Sequence, residues 1–253
     1  MRLQDVLYDA YERRLTARLS PERVPRHVGV MLDGNRRWAR QKGADTAHGH
    51  EAGAANIIPL LTWSEEVGVE VVTLWLLSTD NLNRPDDELR PLLSIIENVV
   101  DELAATGRWR VNLVGAREVL PRTTAARLAA AAALTAQVDG MVVNIAVGYG
   151  GRREIADAVR AMLLEAEAAG KTLAEVAASV DPQAIEAHLY TRGQPDPDLV
   201  IRTSGEQRIG GFLLWQSTHS EFYFCEAYWP DFRKVDFLRA LRAFAQRERR
   251  YGA

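Results

Sequence analysis

Apolar residues along the chain follow two patterns, short continuous runs and longer stretches with helical spacing. Runs rich in Val, Ile and Leu predict buried strands at 27–32, 69–77, 110–114, 141–147, 199–201 and 221–225. Apolar positions that recur every three or four residues predict helices over 49–67, 86–105, 123–137, 152–169, 182–190 and 235–247. Strands that alternate with helices form right-handed βαβ units. The fold is therefore predicted to be α/β, with a mostly parallel central sheet of about six strands flanked by helices.

Both ends of the chain carry helical patterns of their own. Apolar residues recur at helical spacing before Pro21, which predicts a short amphipathic helix within residues 1–22. Packing of this helix on its own domain is favoured over a role at a membrane surface. Residues 233–253 are expected to form a C-terminal helix and a short tail. No internal repeat and no linker rich in Pro, Gly or Ser is present, so a single domain over 1–253 is predicted.

Composition excludes several classes of protein. The chain is 47% hydrophobic and 26% charged with a net charge of −3, whereas a nucleic-acid-binding domain is usually clearly basic. Cys225 is the only cysteine, which excludes an intrachain disulfide, and its aromatic neighbours favour a buried thiol over a nucleophile. The amino terminus lacks the apolar core of a signal peptide, and no run approaches the ~20 apolar residues that span a bilayer. The predicted location is cytoplasmic, at most peripheral to a membrane.

Polar segments rich in glycine and arginine follow four of the predicted strands. They are residues 33–37, 78–81, 148–152 and 202–206. Ligands of open parallel sheets bind beyond the carboxyl ends of the strands, so we expect these segments to meet at one site. Their composition favours an anionic ligand with a carboxylate nearby.

Asp33 closes the first apolar strand, where a carboxylate is costly unless it is paired or bound to a cation. Gly34 and Asn35 lead into a helix predicted to begin near Arg36, and free N–H groups at a helix N-terminus favour phosphate. A carboxylate beside a phosphate site suggests Mg²⁺, which carboxylates and substrate phosphates commonly hold together. The alternative is that Asp33 only caps the helix, a common role for Asp. This segment alone leaves both interpretations open.

The commonest explanations of a phosphate site are absent from the sequence. There is no Walker A pattern, and residues 148–151 do not complete a dinucleotide fingerprint. No Ser-His-Asp order, zinc-ligand cluster or Cys-His pair is evident either. Arg202 and Arg208 flank a glycine-bearing loop and could each bind a diphosphate bidentately, while His50 could face the same cleft. The residues indicate Mg²⁺-assisted chemistry on a phosphorylated or diphosphorylated substrate, which a phosphatase or kinase-like enzyme would also fit.

Several long motifs, in order along the chain, carry a family resemblance. They are HVGVMLDGNRRWA at 27–39, GHEAG at 49–53, STDNLNRP at 78–85, NIA at 144–146, YGGR at 149–152, DLVIRTSGEQRI at 198–209, FLLWQ at 212–216, EFYF at 221–224 and WPDF at 229–232. With them the chain resembles the cis-prenyltransferases, the family of undecaprenyl diphosphate synthase. That family condenses an allylic diphosphate with isopentenyl diphosphate, forms a cis double bond and releases pyrophosphate. The resemblance implies a Mg²⁺ cofactor and an apolar tunnel for the product.

The resemblance also implies catalytic and metal-binding roles. Asp33 would bind Mg²⁺ and orient the reacting diphosphates, and Glu221 would supply a second contact to the metal. Negative charge builds on the departing pyrophosphate, which a metal ion and arginines stabilise. Asn81 would position the substrates, since an amide is a poor base and pyrophosphate is the expected proton acceptor.

The two diphosphates have separate implied sites. Backbone amides of residues 34–37, with the side chains of Arg37 and His50, would hold the allylic diphosphate, while Arg202 and Arg208 would hold isopentenyl diphosphate. The loop from Ser78 would lie between the two substrates. The whole implied substrate-binding set is Gly34, Asn35, Arg36, Arg37, Trp38, His50, Ser78, Asp80, Arg84, Arg202, Arg208, Gly210 and Arg250.

Four positions depart from the family's usual pattern. Thr46 stands where the family often has a further arginine, and Gly210 stands where serine is common. Asp80 and Leu82 replace a glutamate and a tryptophan in the loop after the second strand. These departures bear on affinity and substrate preference more than on reaction class.

Product length and assembly are also implied by the resemblance. Leu76 stands where long-chain members commonly have alanine, which implies a short product such as (2Z,6E)-farnesyl diphosphate made from geranyl diphosphate. The alternatives are a longer-chain synthase, a lavandulyl-type non-elongating condensation, and a non-catalytic partner subunit. The tail that contains Arg250 matches the Arg-x-Gly ending by which one subunit of this family reaches its partner's active site. A homodimer is therefore the expected assembly.

Overall fold

One parallel sheet of six strands organises the part of the chain that the structure describes. The computed structural model describes residues 12–17 and 19–247. Its strands, labelled β1 to β6 in chain order, are His27–Met31, Val71–Ser78, Arg110–Val114, Val142–Tyr149, Leu199–Arg202 and Glu221–Phe224. They lie in the order β3-β4-β2-β1-β5-β6, and all neighbouring strands are parallel. The α/β prediction is confirmed.

Helices flank the sheet and are labelled α1 to α9 from Asn35 onward. They are Asn35–Gln41, Thr46–Ala55, Ile57–Glu66, Asp86–Thr106, Arg122–Leu134, Gly151–Ala168, Leu173–Ser179, Pro182–Glu186 and Lys234–Gln246. Of the helix predicted within residues 1–22, residues 12–16 are helical, whereas residues 1–11 lie outside the described part. Within the described ranges, no helix combines the length and apolar character needed to cross a membrane.

The helix predicted over 49–67 is in fact two helices, α2 and α3, which meet at Asn56. The side chain of Asn56 donates hydrogen bonds to the carbonyls of Trp229 and Phe232, at 3.0 and 2.8 Å. Pro59 lies in the first turn of α3 and has no N–H to donate to the last turn of α2. The break therefore has a local cause, the proline, and a long-range cause, the contact with residues 229–232.

Helix α7 was not predicted, although its start carries a readable signal. Thr172 caps the helix through a capping box with Glu175, in which each side chain bonds the other's backbone N–H. The helix buries only Val176, so its apolar periodicity is weak. The helix predicted over 182–190 is also shorter than expected, because α8 ends at Glu186.

The two faces of the sheet bury different cores. The main core contains Leu60 and Leu61 of α3, together with buried residues of α4, α5 and α9. The opposite face carries a smaller cluster, formed by Met31, Val114, Ala146, Tyr149, Val200, Phe212 and Leu213, with Trp75, Tyr190 and Phe222 packed against it. The cleft described below opens where both cores reach the carboxyl ends of the strands.

A row of buried polar side chains crosses the sheet at His27. The Nδ1 atom of His27 lies 2.7 Å from the carbonyl oxygen of Pro195, which can only accept, so Nδ1 carries the proton. Its Nε2 then accepts from the hydroxyl of Thr73 at 2.7 Å, and that hydroxyl in turn accepts from Asn144 at 2.9 Å. The network therefore requires a neutral imidazole, and burial lowers the pKa of His27 to about 4.

This network predicts a loss of stability in mild acid. The unfolded chain binds a proton at His27 near pH 6.5, whereas the folded chain binds it only near pH 4, so stability falls as pH decreases between those values. Urea unfolding should show a decrease of about 2 kcal/mol from this group between pH 7.5 and pH 5. A His27→Gln variant should lack that part of the pH dependence. The same slope in both proteins would contradict the assignment.

Candidate active site

A cleft of about 700 Å³ lies at the carboxyl ends of β1, β2 and β5. Most of the sequence-predicted site residues line it, so segments far apart in the chain do meet at one site. They are Asp33, Gly34, Asn35, Arg36, Arg37, His50, Leu76, Ser78, Asp80, Asn81, Arg84, Arg202, Arg208 and Gly210. Trp38 and Glu221 are not among the lining residues, and Arg250 lies outside the described residues.

The carboxylate of Asp33 is held by arginines and does not cap a helix. The N-cap of α1 is Gly34, which makes no side-chain capping bond. Arg202 donates to Oδ2 of Asp33 at 2.8 Å, and Arg37 lies 3.7 Å from its Oδ1. The side chain is 36% exposed, so it is reachable from the cleft. The capping interpretation of Asp33 is therefore wrong.

Gly34 brings the backbone close to a tyrosine that sequence reasoning missed. Its φ of 107° favours glycine, and a Cβ there would lie 2.7 Å from the ring of Tyr228. The same ring lies 5.7 Å from the guanidinium of Arg37, within cation–π range. Arg37 also donates to Ser204 at 2.7 Å and to Glu206 at 3.1 Å. Four contacts thus fix this arginine before any ligand binds.

Arg202 ends β5, and Arg208 lies in the loop that follows it. Arg202 is only 6% exposed and bonds both Asp33 and the carbonyl oxygen of Arg208. Arg208 pairs with Glu206 at the surface of the loop. Ser204 has a φ of 76°, a costly conformation for a residue with a side chain, and such strain is common at functional sites. The loop is therefore held to Asp33 through Arg202, and internally by the pair of Arg208 with Glu206.

The surroundings of residue 210 explain why it is glycine here, where serine is common in the family. A Cβ at this position would lie 3.3 Å from Cζ3 of Trp75, and the φ of 59° also favours glycine. Serine would therefore be both crowded and strained here. The backbone N–H is the only donor that residue 210 offers to the cleft.

His50 lies in α2, lines the cleft and has a neutral imidazole side chain. Burial, and then the charge of Arg84, lowers its pKa to about 4. Its Nε2 atom is buried and has no hydrogen-bond partner among the residues that the structure describes. Arg84 donates to Glu88 at 2.9 Å, and Arg36 reaches the same oxygen at 3.4 Å. Glu88 was not predicted, since its acid side chain looks like one of several in the first turn of α4.

The electrostatics of the cleft favour a ligand with several negative charges. Six arginines line it, whereas the lining carboxylates are three: Asp33, Asp80 and Glu206. The positive set is Arg36, Arg37, Arg40, Arg84, Arg202 and Arg208. Arginine binds phosphate oxygens bidentately, so this surplus is suited to diphosphate groups.

The donor set fits Mg²⁺ only if the substrate completes it. No group of three or more His, Cys, Asp or Glu side chains suited to a metal is found in the described part of the chain. Mg²⁺ is usually bound by one or two carboxylates plus substrate phosphates, and the exposed Asp33 oxygen is suited to that arrangement. Glu221 is the first residue of β6, opposite Leu199, and its carboxylate contacts Arg247. Within one chain, Glu221 is thus not brought beside Asp33.

A short apolar cavity of about 40 Å³ adjoins the cleft. The residues that line both the cleft and the cavity are Leu32, Asn35, His50, Leu76 and Leu92. Beyond them, the cavity has an apolar wall formed by Ala54, Ile57, Ile95, Ile96 and Val99. An irregularity in the β2–β4 pairing skips Leu76, and Leu76 and Leu77 both pack with the main core. The side chain of Leu76 therefore occupies space where the cleft meets the cavity. The longer tunnel stays a prediction.

Comparisons with known proteins give a consistent result. A prenyltransferase family model, described as undecaprenyl diphosphate synthase, matches residues 31–252. The (2Z,6E)-farnesyl diphosphate synthase of Thermobifida fusca is 63% identical over 97% of both chains. Isoprenyl transferase 1 of Streptomyces avermitilis is 59% identical over 99% of this chain and 97% of that protein.

A solved structure supports the same comparison. Lavandulyl diphosphate synthase from Lavandula x intermedia, in complex with dimethylallyl diphosphate, superposes with a TM-score of 0.84 and 33% identity. The superposition covers 92% of this chain and 100% of that one.

Proposed function

The chain belongs to the cis-prenyltransferase family of undecaprenyl diphosphate synthase, and we propose that it condenses isopentenyl diphosphate with geranyl diphosphate to (2Z,6E)-farnesyl diphosphate. As a member of that family it is an enzyme that transfers prenyl groups. The observation that carries the finer proposal is an arginine-rich cleft that opens into a short apolar cavity. Such a site suits two diphosphates and one short hydrocarbon chain.

In the proposed reaction the allylic C–O bond breaks, pyrophosphate leaves, and the allylic carbon joins the terminal methylene carbon of isopentenyl diphosphate. The positive charge then lies on C3 of the isopentenyl group, and C2 loses a proton to pyrophosphate, so that the new cis double bond forms between C2 and C3. Arg37 and His50 hold the allylic diphosphate, while Arg202 and Arg208 hold the other. Mg²⁺ held by Asp33 and the diphosphates would act as a Lewis acid on the leaving group. Asn81 positions the substrates.

Product analysis tests this proposal directly. The purified protein is incubated with Mg²⁺, radiolabelled isopentenyl diphosphate and dimethylallyl, geranyl or farnesyl diphosphate, and products are separated by chain length. We expect geranyl diphosphate to be the best primer and one addition to dominate. Decaprenyl or undecaprenyl products would favour the longer-chain alternative, and lavandulyl diphosphate would favour non-elongating condensation. No product from any primer would favour a non-catalytic partner subunit.

Leu76 is expected to limit the product by its bulk. A Leu76→Ala variant removes three carbon atoms from the shared wall of cleft and cavity, so longer allylic chains gain room. Products with two or more additions should become the main species, with a stability loss of about 2 kcal/mol or more from the new space. An unchanged product distribution in a folded variant would contradict this role.

We also propose that two subunits complete each other's sites. Arg247 contacts Glu221 at the start of edge strand β6, so Glu221 and the beginning of the tail lie together. A tail that crosses to a second subunit would carry Arg250 there, and Glu221 would lie at the same interface. This arrangement is the one that allows Glu221 a metal contact, since it lies away from Asp33 in its own chain.

A further inference from the structure

Two neighbouring residues of β2 divide the apolar part of the cleft. Trp75 packs with the smaller cluster on one face of the sheet, whereas Leu76 packs with the main core on the other. Successive strand residues point to opposite faces, and both of these side chains line the cleft. The carboxyl end of β2 therefore separates two apolar surfaces, one on the Trp75 side of the sheet and one on the Leu76 side.

The Trp75 side is the one that adjoins Arg202 and Gly210. A Cβ on Gly210 would lie 3.3 Å from Cζ3 of Trp75 and 3.7 Å from Nη1 of Arg202. The indole and the guanidinium therefore approach the same point on the loop. Met31 is the other residue of the smaller cluster that lines the cleft, so the apolar surface on this side is small.

The indole of Trp75 is held rigidly. It stacks on Phe212 with ring centroids 5.2 Å apart and an interplanar angle of 8°. Tyr149 meets it edge-on at 6.2 Å and 90°. A ring fixed on two sides cannot move away to admit a larger group, and packed side chains yield little. The absence of a Cβ at Gly210 is what leaves room for it.

We infer that Trp75 forms the wall that binds and measures the isopentenyl group, whereas Leu76 serves only the allylic chain. The inference rests on the proposed function, because it takes Arg202 and Arg208 to hold isopentenyl diphosphate. A five-carbon group attached to that diphosphate has the indole as its nearest large apolar surface. Trp75 thus determines specificity for the non-allylic substrate.

Calorimetry with isopentenyl diphosphate and inorganic pyrophosphate tests the inference. In a Trp75→Leu variant the Kd for isopentenyl diphosphate should rise about fivefold to twentyfold, a range expected for a lost apolar contact. The Kd for pyrophosphate should change less than about twofold, since the arginines remain. Equal weakening of both ligands would mean that Trp75 only supports the loop at Gly210, and would overturn the inference.

Specificity gives a second readout with a matched control. Wild-type enzyme should prefer isopentenyl diphosphate over 3-ethylbut-3-enyl diphosphate, which has one more methylene, by about tenfold or more in kcat/KM. Trp75→Leu should bring that ratio toward one, whereas Leu76→Ala should lengthen the product and keep the ratio. A shifted ratio in Leu76→Ala, or an unshifted one in Trp75→Leu, would contradict the inference.

A second variant and a measurement that needs no turnover complete the experiment. Trp75→Phe retains a ring that stacks on Phe212, so its Kd values and its specificity ratio should lie between those of wild type and Trp75→Leu. This variant replaces Trp75→Leu if the leucine variant fails to fold. Wild-type values in Trp75→Phe would overturn the inference. Wild-type protein without condensation activity would reject the proposed function. The two Kd values would still decide the role of Trp75, because they need no turnover.

Discussion

Replacing Asp33 with alanine is expected to reduce condensation at least about 1,000-fold at saturating substrates. Loss of a Lewis-acid contact to the leaving group removes several kcal/mol of transition-state stabilisation, and each 1.36 kcal/mol is a factor of ten in rate. The carboxylate is 36% exposed toward the cleft and does not cap α1, so the rate loss has no counterpart in helix stability.

Asp33→Asn is the control for this prediction. Asparagine keeps the shape and one acceptor for Arg202, but lacks the charge that we propose binds Mg²⁺. Both variants should therefore be inactive, and both should lose the Mg²⁺ dependence of pyrophosphate binding. Thermal unfolding should separate them, because alanine alone leaves the buried Arg202 without an acceptor at residue 33. An active Asp33→Asn enzyme would remove the metal assignment.

Sequence patterns predicted the strands of the sheet more completely than the helices. Every predicted strand is present, because buried parallel strands read as continuous apolar runs. The break at Asn56 depends on carbonyls of residues 229 and 232, which no local window contains. Helix α7 buries a single residue, so its only strong signal is the capping box.

The site shows the same division between local and long-range information. Strand-end motifs placed Asp33, Ser78 and Arg202 at one cleft, since the ends of parallel strands meet there. Tyr228 and Trp75 were missed as site residues because their importance comes from contacts with Arg37 and Gly210, far away in sequence. The pairing irregularity that places Leu77 on the same face as Leu76 is equally invisible in a run of apolar residues.

Arg202→Ala is the other change with a large expected effect, and it should exceed that of Arg208→Ala. Charge-assisted hydrogen bonds contribute about 1.5–3 kcal/mol, so either variant should raise the KM for isopentenyl diphosphate by roughly 10- to 150-fold. Arg202 is buried and also holds Asp33, whereas the side chain of Arg208 is 66% exposed and pairs with Glu206. Arg202→Ala should therefore lower kcat as well, while Arg208→Ala should act mainly on KM.

Steady-state kinetics with each substrate varied in turn checks this difference. The KM for geranyl diphosphate should change less than about threefold in Arg208→Ala, because Arg37 and His50, the proposed ligands of that diphosphate, remain in place. Arg90→Gln provides the matched control, since Arg90 is an exposed, ion-paired arginine of α4 outside the cleft. Arg202→Lys should recover only part of the loss, because an ammonium cannot bond Asp33 and a phosphate in the planar geometry of a guanidinium. A larger increase in KM for geranyl diphosphate than for isopentenyl diphosphate would mean that the two diphosphate sites are exchanged.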